Sequence, residues 1–168
     1  MFFHIPIITV RWWWADAFDC PIYIHSSDSE WITRKSGRYI FGEGESIELN
    51  PELTVLRLGG HFDGSSVMLW KNGSNGNGSL MVGDTIFIVP DPGWVSFLYS
   101  HPNRIPLAAF EVEEIRNKLL DVNFESLYGA FGNSIKSGGK EAVMKSALRY
   151  IFHVNRKAPQ EKSVGIIL

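Results

Sequence analysis

The sequence predicts an α/β protein built in layers, sheet on sheet with helices outside. Three observations predict it. Short apolar, β-branched runs bounded by glycine, proline and asparagine fill the first half of the chain. Residues 106–120 and Gly139–Val154 carry apolar side chains at helical spacing. The 168 residues are 45% hydrophobic and 13% aromatic, enough for a real core, so one domain over 1–168 is expected.

Residues 5–10, Ile-Pro-Ile-Ile-Thr-Val, have the apolar pattern of a buried strand, weakened by Pro6, which lacks a ladder donor. Residues 12–18 predict a short helix covering a sheet. Three adjacent tryptophans cannot share one helix face, so at least one of Trp12, Trp13 and Trp14 is expected to stay exposed or to meet a partner, a second copy included. Residues 21–25 read as a strand. Ser26 to Ser29 supply N-cap candidates for a short helix over 28–34. Residues 37–41 lead into a turn at 42–44, and 46–49 and 53–58 are strands joined through Asn50-Pro51. Residues 66–71 meet Asn72-Gly-Ser-Asn-Gly-Asn-Gly78, a hairpin tip without the strand-to-helix context of a nucleotide loop. Strands over 79–82 and 85–89 continue the sheet.

After Pro90-Asp-Pro-Gly93, residues 94–100 predict a helical turn. In the helix over 106–120, Ala108, Val112, Ile115 and Leu119 form one stripe, opposed by Glu111, Glu114 and Lys118. Residues 124–128 read as a strand. In the helix Gly139–Val154, Val143, Ala147, Ile151 and Val154 are in line, and Lys140, Lys145 and Arg149 form a solvated face. The tail over 155–168 is expected to be loose.

The net charge of −2 and the absence of a long basic run speak against a nucleic-acid partner. A single cysteine, Cys20, excludes an internal disulfide and fits a reducing compartment. The opening residues lack a basic flank and a small-residue cleavage site, so no signal peptide is expected. No apolar run approaches the ~20 residues of a membrane helix. These points predict a cytoplasmic protein without a membrane partner.

Two side chains carry the chemistry. His61 sits in Gly59-Gly-His-Phe-Asp-Gly-Ser-Ser66, after a strand, with small residues on both sides that would let backbone approach a ligand. Asp84 follows Gly83 at the end of the next apolar strand but one, where a carboxylate could bridge two cations. Zinc takes imidazole and carboxylate ligands at such converging loops. Taken singly, each residue has a plainer reading: a hydrogen-bonded turn histidine and an ordinary Gly-Asp turn. His25, His101 and His153 read as structural.

The longer pattern is more specific. Residues 59–66, Gly83-Asp-Thr-Ile-Phe87, residues 94–107, residues 14–25 and Ser146-Ala-Leu-Arg-Tyr150 together resemble a branch of the metallo-β-lactamase superfamily, from about Ala15 to about Ile151. The resemblance implies an αββα sandwich, incomplete at its N-terminus, with a metal site at one rim. That superfamily places its primary ligands in a His-x-His-x-Asp-His motif after several opening strands. Here those strands are absent; His4 matches the first histidine, Pro6 stands at the second, and the Asp-His pair has no counterpart. The superfamily's later Gly-His is replaced by Tyr128-Gly-Ala-Phe-Gly132.

The implied zinc ligands are therefore His61, Asp84 and His4, an incomplete set, with Asp63 placed to orient a water. Two functions compete. One is a zinc-dependent hydrolase of an unidentified small molecule, bound by loops near Phe62, Trp94 and Tyr99, which would act by lowering the pKa of a metal-bound water. The other is a catalytically dead binding or regulatory module on the same fold. A sandwich lacking its first strands is expected to expose a sheet edge and part of a core, which Trp12, Trp13 and Trp14 would cover or use for self-association.

Overall fold

The structure, a computed structural model, describes the backbone of residues 8–156 and the side chains from Trp13 onward. The chain opens with helix α1 (Ile8–Ala17). Residues 8–10 are helical, against the expected strand; they run unbroken into the tryptophan helix, and the remainder of that expected strand, residues 5–7, lies outside the described residues. Ala15 of α1 packs against Ile22 and Ile24 in a small satellite cluster. Strand β1 (Ile22–His25) pairs in parallel with β2 (Tyr39–Gly42). Between them, Ser26–Trp31 forms a 3-10 helix, earlier than the helix expected over 28–34. Its cap is His25 rather than a serine: the Ser27 N–H donates to His25 Nδ1 at 3.2 Å.

Strands β3 (Ser46–Asn50), β4 (Leu53–Arg57), β5 (Ser66–Trp70) and β6 (Ser79–Gly83) form an antiparallel meander close to the expected boundaries. The β5–β6 tip is a single distorted helical turn, α2 (Gly73–Gly76), in which Ser74 and Asn75 are left-handed (φ 51° and 57°). After glycine, Asn is among the residues that tolerate that region.

Residues 85–89 do not continue the meander. A tight turn, with the Thr85 N–H donating to Val82 O at 3.1 Å, redirects the chain after Gly83-Asp84. Strand β7 (Phe87–Ile88) then pairs with β8 (Val95–Ser96), and β9 (Leu98–Ser100) with β10 (Ile105–Pro106). Residues 94–100 are thus extended rather than a helical turn. Alternation decides it: Val95 and Phe97 point into the core, while Trp94 faces the Lys145 and Arg149 cations at 4.8 and 4.7 Å from its ring.

Helix α3 (Ala109–Leu119), strand β11 (Ser126–Gly129), strand β12 (Ser134–Ile135) and helix α4 (Gly139–Val154) complete the described chain. β11 joins β6 in parallel, giving a mixed six-stranded sheet of order β12-β11-β6-β5-β4-β3. Cross-strand register divides its faces. Thr54, Leu69, Leu80, Leu127 and Ile135 form one continuous row. Leu80 and Leu127 of this row are fully buried in the main core, with Val112, Ile115 and Leu119 of α3 and Val143 and Ala147 of α4. The expected helical stripes therefore meet the sheet, except that Ala108 precedes α3 and Val154 is exposed at the end of α4. The next row, Ile47, Val55, Met68, Met81 and Tyr128, lies on the opposite face.

Candidate functional site

The loop from β4 to β5 presents His61. Its backbone closes on itself: the Leu58 and Gly59 N–H groups both donate to Ser65 O, at 2.9 and 3.0 Å, and the Phe62 N–H donates to Ser65 Oγ at 2.8 Å. Gly59 and Gly60 take φ of 76° and 85°, which glycine adopts without strain. Gly60 and Gly64 are also required by packing within the protein. A Cβ on Gly60 would meet Leu107 and Ile115 at 2.9 and 3.0 Å, and one on Gly64 would meet the Asp28 carboxylate at 2.6 Å. Asp28 holds this loop from the 3-10 helix, its Oδ1 accepting the Gly64 N–H at 2.7 Å. Burial pushes the Asp28 carboxyl above its ordinary range, against the pull of that hydrogen bond.

His61 is only 8% exposed. Its Nδ1 lies 2.7 Å from Tyr99 O and 3.0 Å from Leu98 O. Carbonyl oxygens only accept, so Nδ1 carries the proton and the lone pair falls on Nε2, the arrangement that orients an imidazole as a ligand. Burial, and then the neighbouring His101, lower the His61 pKa and keep the ring neutral.

Asp84 follows Gly83 in the turn that ends β6 and is 7% exposed. Its Oδ1 is buried without a hydrogen-bond partner. His101 approaches it: the His101 Nε2–H donates to Asp84 O at 3.1 Å, and the same nitrogen lies 3.8 Å from Asp84 Oδ1. The His101 ring stands edge-on to His61, centroids 5.0 Å apart, and packs against Phe87 and Phe131. Buried His61 and Asp84 and partly buried His101 thus form one group, and β9 is what brings His101 to it. Sequence reading placed His101 in a structural turn; no local signal places residue 101 beside residue 61.

Asp63 is exposed at the tip of the loop, where its backbone carbonyl accepts from Arg57 Nε at 2.8 Å. His4 lies outside the described residues. Asp84 and Asp28 both border a cavity of 530 Å³ that lies over the second face of the sheet, against Val55, Met68 and Met81. A buried carboxylate with one oxygen free of hydrogen bonds and an imidazole with its lone pair on Nε2 suit a cation. Yet among the described residues no group of three or more His, Cys, Asp or Glu side chains is placed to hold a metal ion, so the donor set does not make a complete centre.

Solved structures with similar architecture include the DIM-1 metallo-β-lactamase exposed to ceftazidime, with a TM-score of 0.59 and 13% identity over 84% of this chain and 62% of that one. TMB-1 gives 0.58 and 13%, over 81% of this chain and 60% of that one. A B3 metallo-β-lactamase with an active-site glutamic acid gives 0.52 and 12%, over 85% and 64%. The class is therefore an α/β fold of the metallo-β-lactamase type, a mixed sheet with flanking helices. At these identities the likeness concerns architecture alone. In sequence, the chain is 48% identical over 142 residues to the uncharacterized protein YmaE of Bacillus subtilis (strain 168). That match takes in 84% of this chain and 52% of YmaE, so the chain spans about half the length of the curated relative. No protein-family model matches. No helix among the described residues is long and apolar enough to cross a membrane.

Proposed function

We propose that this chain is a degenerate metallo-β-lactamase-type unit, its αββα sandwich incomplete at the N-terminus, that retains His61 and Asp84 from a metal site and acts as a binding module. The observation that carries this reading is the company Asp84 keeps. Its buried Oδ1 faces the His101 imidazole at 3.8 Å, and among the described residues no convergent set of ligands surrounds it. With two candidate ligands in hand, zinc would be held weakly, and a catalytic centre takes three protein ligands and an open position. The net charge of −2 supports a small-molecule or protein partner over nucleic acid. A cytoplasmic location fits the lone cysteine, half-buried Cys20. Trp13, 77% exposed, and the stacked pair Trp14 and Phe18 make α1 a candidate surface for self-association; the side chain of Trp12 lies outside the described residues.

One observation favours the second reading, a zinc-dependent hydrolase. An orphaned buried carboxylate oxygen is costly and is commonly matched by a cation. His4 would then supply the third ligand and Asp63 would orient the water.

Elemental mass spectrometry of the purified chain decides between them. The degenerate reading expects zinc well below one equivalent, unchanged by His61→Ala. A full equivalent lost in His61→Ala, Asp84→Asn and His4→Ala alike would overturn it and establish the metal centre.

A further inference from the structure

The outer surface of the helical layer is apolar and charged at once. α3 and α4 turn one side to the core, and each leaves large apolar side chains on the other. Phe110 of α3 is 64% exposed; Leu148 and Phe152, on successive turns of α4, are 55% and 66% exposed. Charge on this surface is divided by helix. Exposed Glu114 follows Phe110 by one turn on α3. Lys145 and Arg149 are likewise one turn apart on α4, like charges at a spacing that opposes a helix, and both sit against the Trp94 ring. Among the described residues no carboxylate pairs with Lys145 or Arg149, and no cation pairs with Glu114.

We propose that a second copy of this chain covers this surface about a two-fold axis parallel to the helices, so that α3 of each copy lies on α4 of the other. The internal geometry selects that arrangement. α3 and α4 are antiparallel: Tyr150 Oη donates to Leu107 O, just before α3, and Lys140 Nζ donates to Leu120 O, just after it, both at 2.7 Å. The start of α3 is therefore level with the last turns of α4. A two-fold axis along the helices keeps that level and exchanges the helices. Phe110 of one copy then meets Leu148 and Phe152 of the other, and Glu114, one turn further in, meets Lys145 and Arg149. Each apolar contact and each ion pair forms twice, because the interface is isologous. An axis across the helices would instead set α3 on α3 and α4 on α4. That would turn Glu114 toward its own copy and the two cations toward theirs, like against like. The surface shares no residue with α1 or with the group of His61, Asp84 and His101, so the proposal is independent of metal binding.

Sedimentation equilibrium of the full chain over a concentration series is the test. A reversible dimer is expected. Phe152→Asp should weaken it at least ~10-fold, as loss of a central aromatic anchor does. Glu114→Arg and Arg149→Glu should each weaken it by about 10-fold, whereas the double variant, which exchanges the two charges, should regain most of the lost affinity. That recovery separates an ion pair across the interface from a structural effect of either change. All three positions are exposed, so every variant should keep the wild-type circular dichroism. Trp13→Ala, on α1, should leave the dimer intact. A wild-type chain that stays monomeric, or a double variant that associates no more tightly than the single ones, would overturn the proposal. So would a dimer that survives Phe152→Asp and is lost in Trp13→Ala, which would make α1 the interface.

Discussion

Gly64→Ala tests whether the His61 loop is set by packing against the 3-10 helix. The ideal Cβ would lie 2.6 Å from Asp28 Oδ2, 2.7 Å from its Cγ and 2.7 Å from His25 Cβ, all far inside van der Waals contact. Asp28 is buried and cannot swing into solvent without leaving the Gly64 N–H, which it accepts at 2.7 Å. Two costs therefore combine. Overpacking of a tight site costs about 1–3 kcal/mol. Weakening a buried hydrogen bond to a carboxylate costs about 1.5–3 kcal/mol. Because one displacement relieves part of the other, the expected loss is about 2–4 kcal/mol rather than the sum. The assay is urea unfolding followed by circular dichroism: the midpoint should fall with the slope unchanged. Adding Asp28→Ala, which deletes the carboxylate atoms in the clash, should cost less in the Gly64→Ala background than alone. A loss below about 0.5 kcal/mol, the range of an ordinary surface change, or strict additivity of the pair, would refute this account of the loop.

Asp28→Asn keeps an acceptor for Gly64 but removes the buried charge. Burial raises the folded pKa of Asp28 above 3.8, so its ionisation weakens the fold at neutral pH; that penalty is relieved as pH falls through the folded pKa. Unfolding midpoints at neutral and mildly acidic pH should show the wild type gaining on the variant upon acidification, and a gap that is constant with pH would contradict the sign. His61 behaves in the opposite sense. Its folded pKa lies below 6.5, so the stability it contributes is complete above 6.5 and is lost as pH falls through the lowered value; a nitrogen-15 titration of the metal-free chain with a midpoint above 6.5 would refute the burial argument. Ser79 and Ser126 exchange a buried hydrogen bond of 2.7 Å between β6 and β11. Ser126→Ala should cost about 1–2 kcal/mol by orphaning the Ser79 hydroxyl, and the double alanine variant should cost less than the two single changes summed, as thermal unfolding would read.

Local pattern carried most of the fold. The boundaries of β3 to β6 and of α4 were legible because alternation and helical spacing coincide there with glycine and asparagine punctuation. Where the sequence misled, propensity and context disagreed. Ile8, Thr9 and Val10 favour strands as single residues but extend a helix that the following tryptophans and alanines establish. Trp94 to Ser100 has no strand-like boundary, because its extended form depends on pairing with Phe87–Ile88 and Ile105–Pro106. His61 and Asp84 stood out because each follows a glycine at a strand end. The pairings of Gly64 with Asp28 and of His61 with the β9 carbonyls span 36 to 38 positions, and nothing local encodes them.

His101 shows how far that long-range dependence reaches into function. His61 and Asp84, the two residues the sequence singles out, meet beside a third: the His101 ring lies 5.0 Å from that of His61, and its Nε2 lies 3.8 Å from Asp84 Oδ1. An imidazole donating to the Asp84 carbonyl while lying 3.8 Å from its unpartnered carboxylate oxygen partly answers the need that a cation would otherwise meet. Removing it therefore separates two accounts of the group. If His101 substitutes for the missing cation, His101→Ala should destabilise the metal-free chain by about 1–3 kcal/mol, since the Asp84 carbonyl would lose its 3.1 Å hydrogen bond and Oδ1 the imidazole 3.8 Å away. Added zinc should then restore stability in the variant more than in the wild type. If His101 merely fills space beside Phe87 and Phe131, His101→Phe should be tolerated and zinc should shift the thermal unfolding of neither protein.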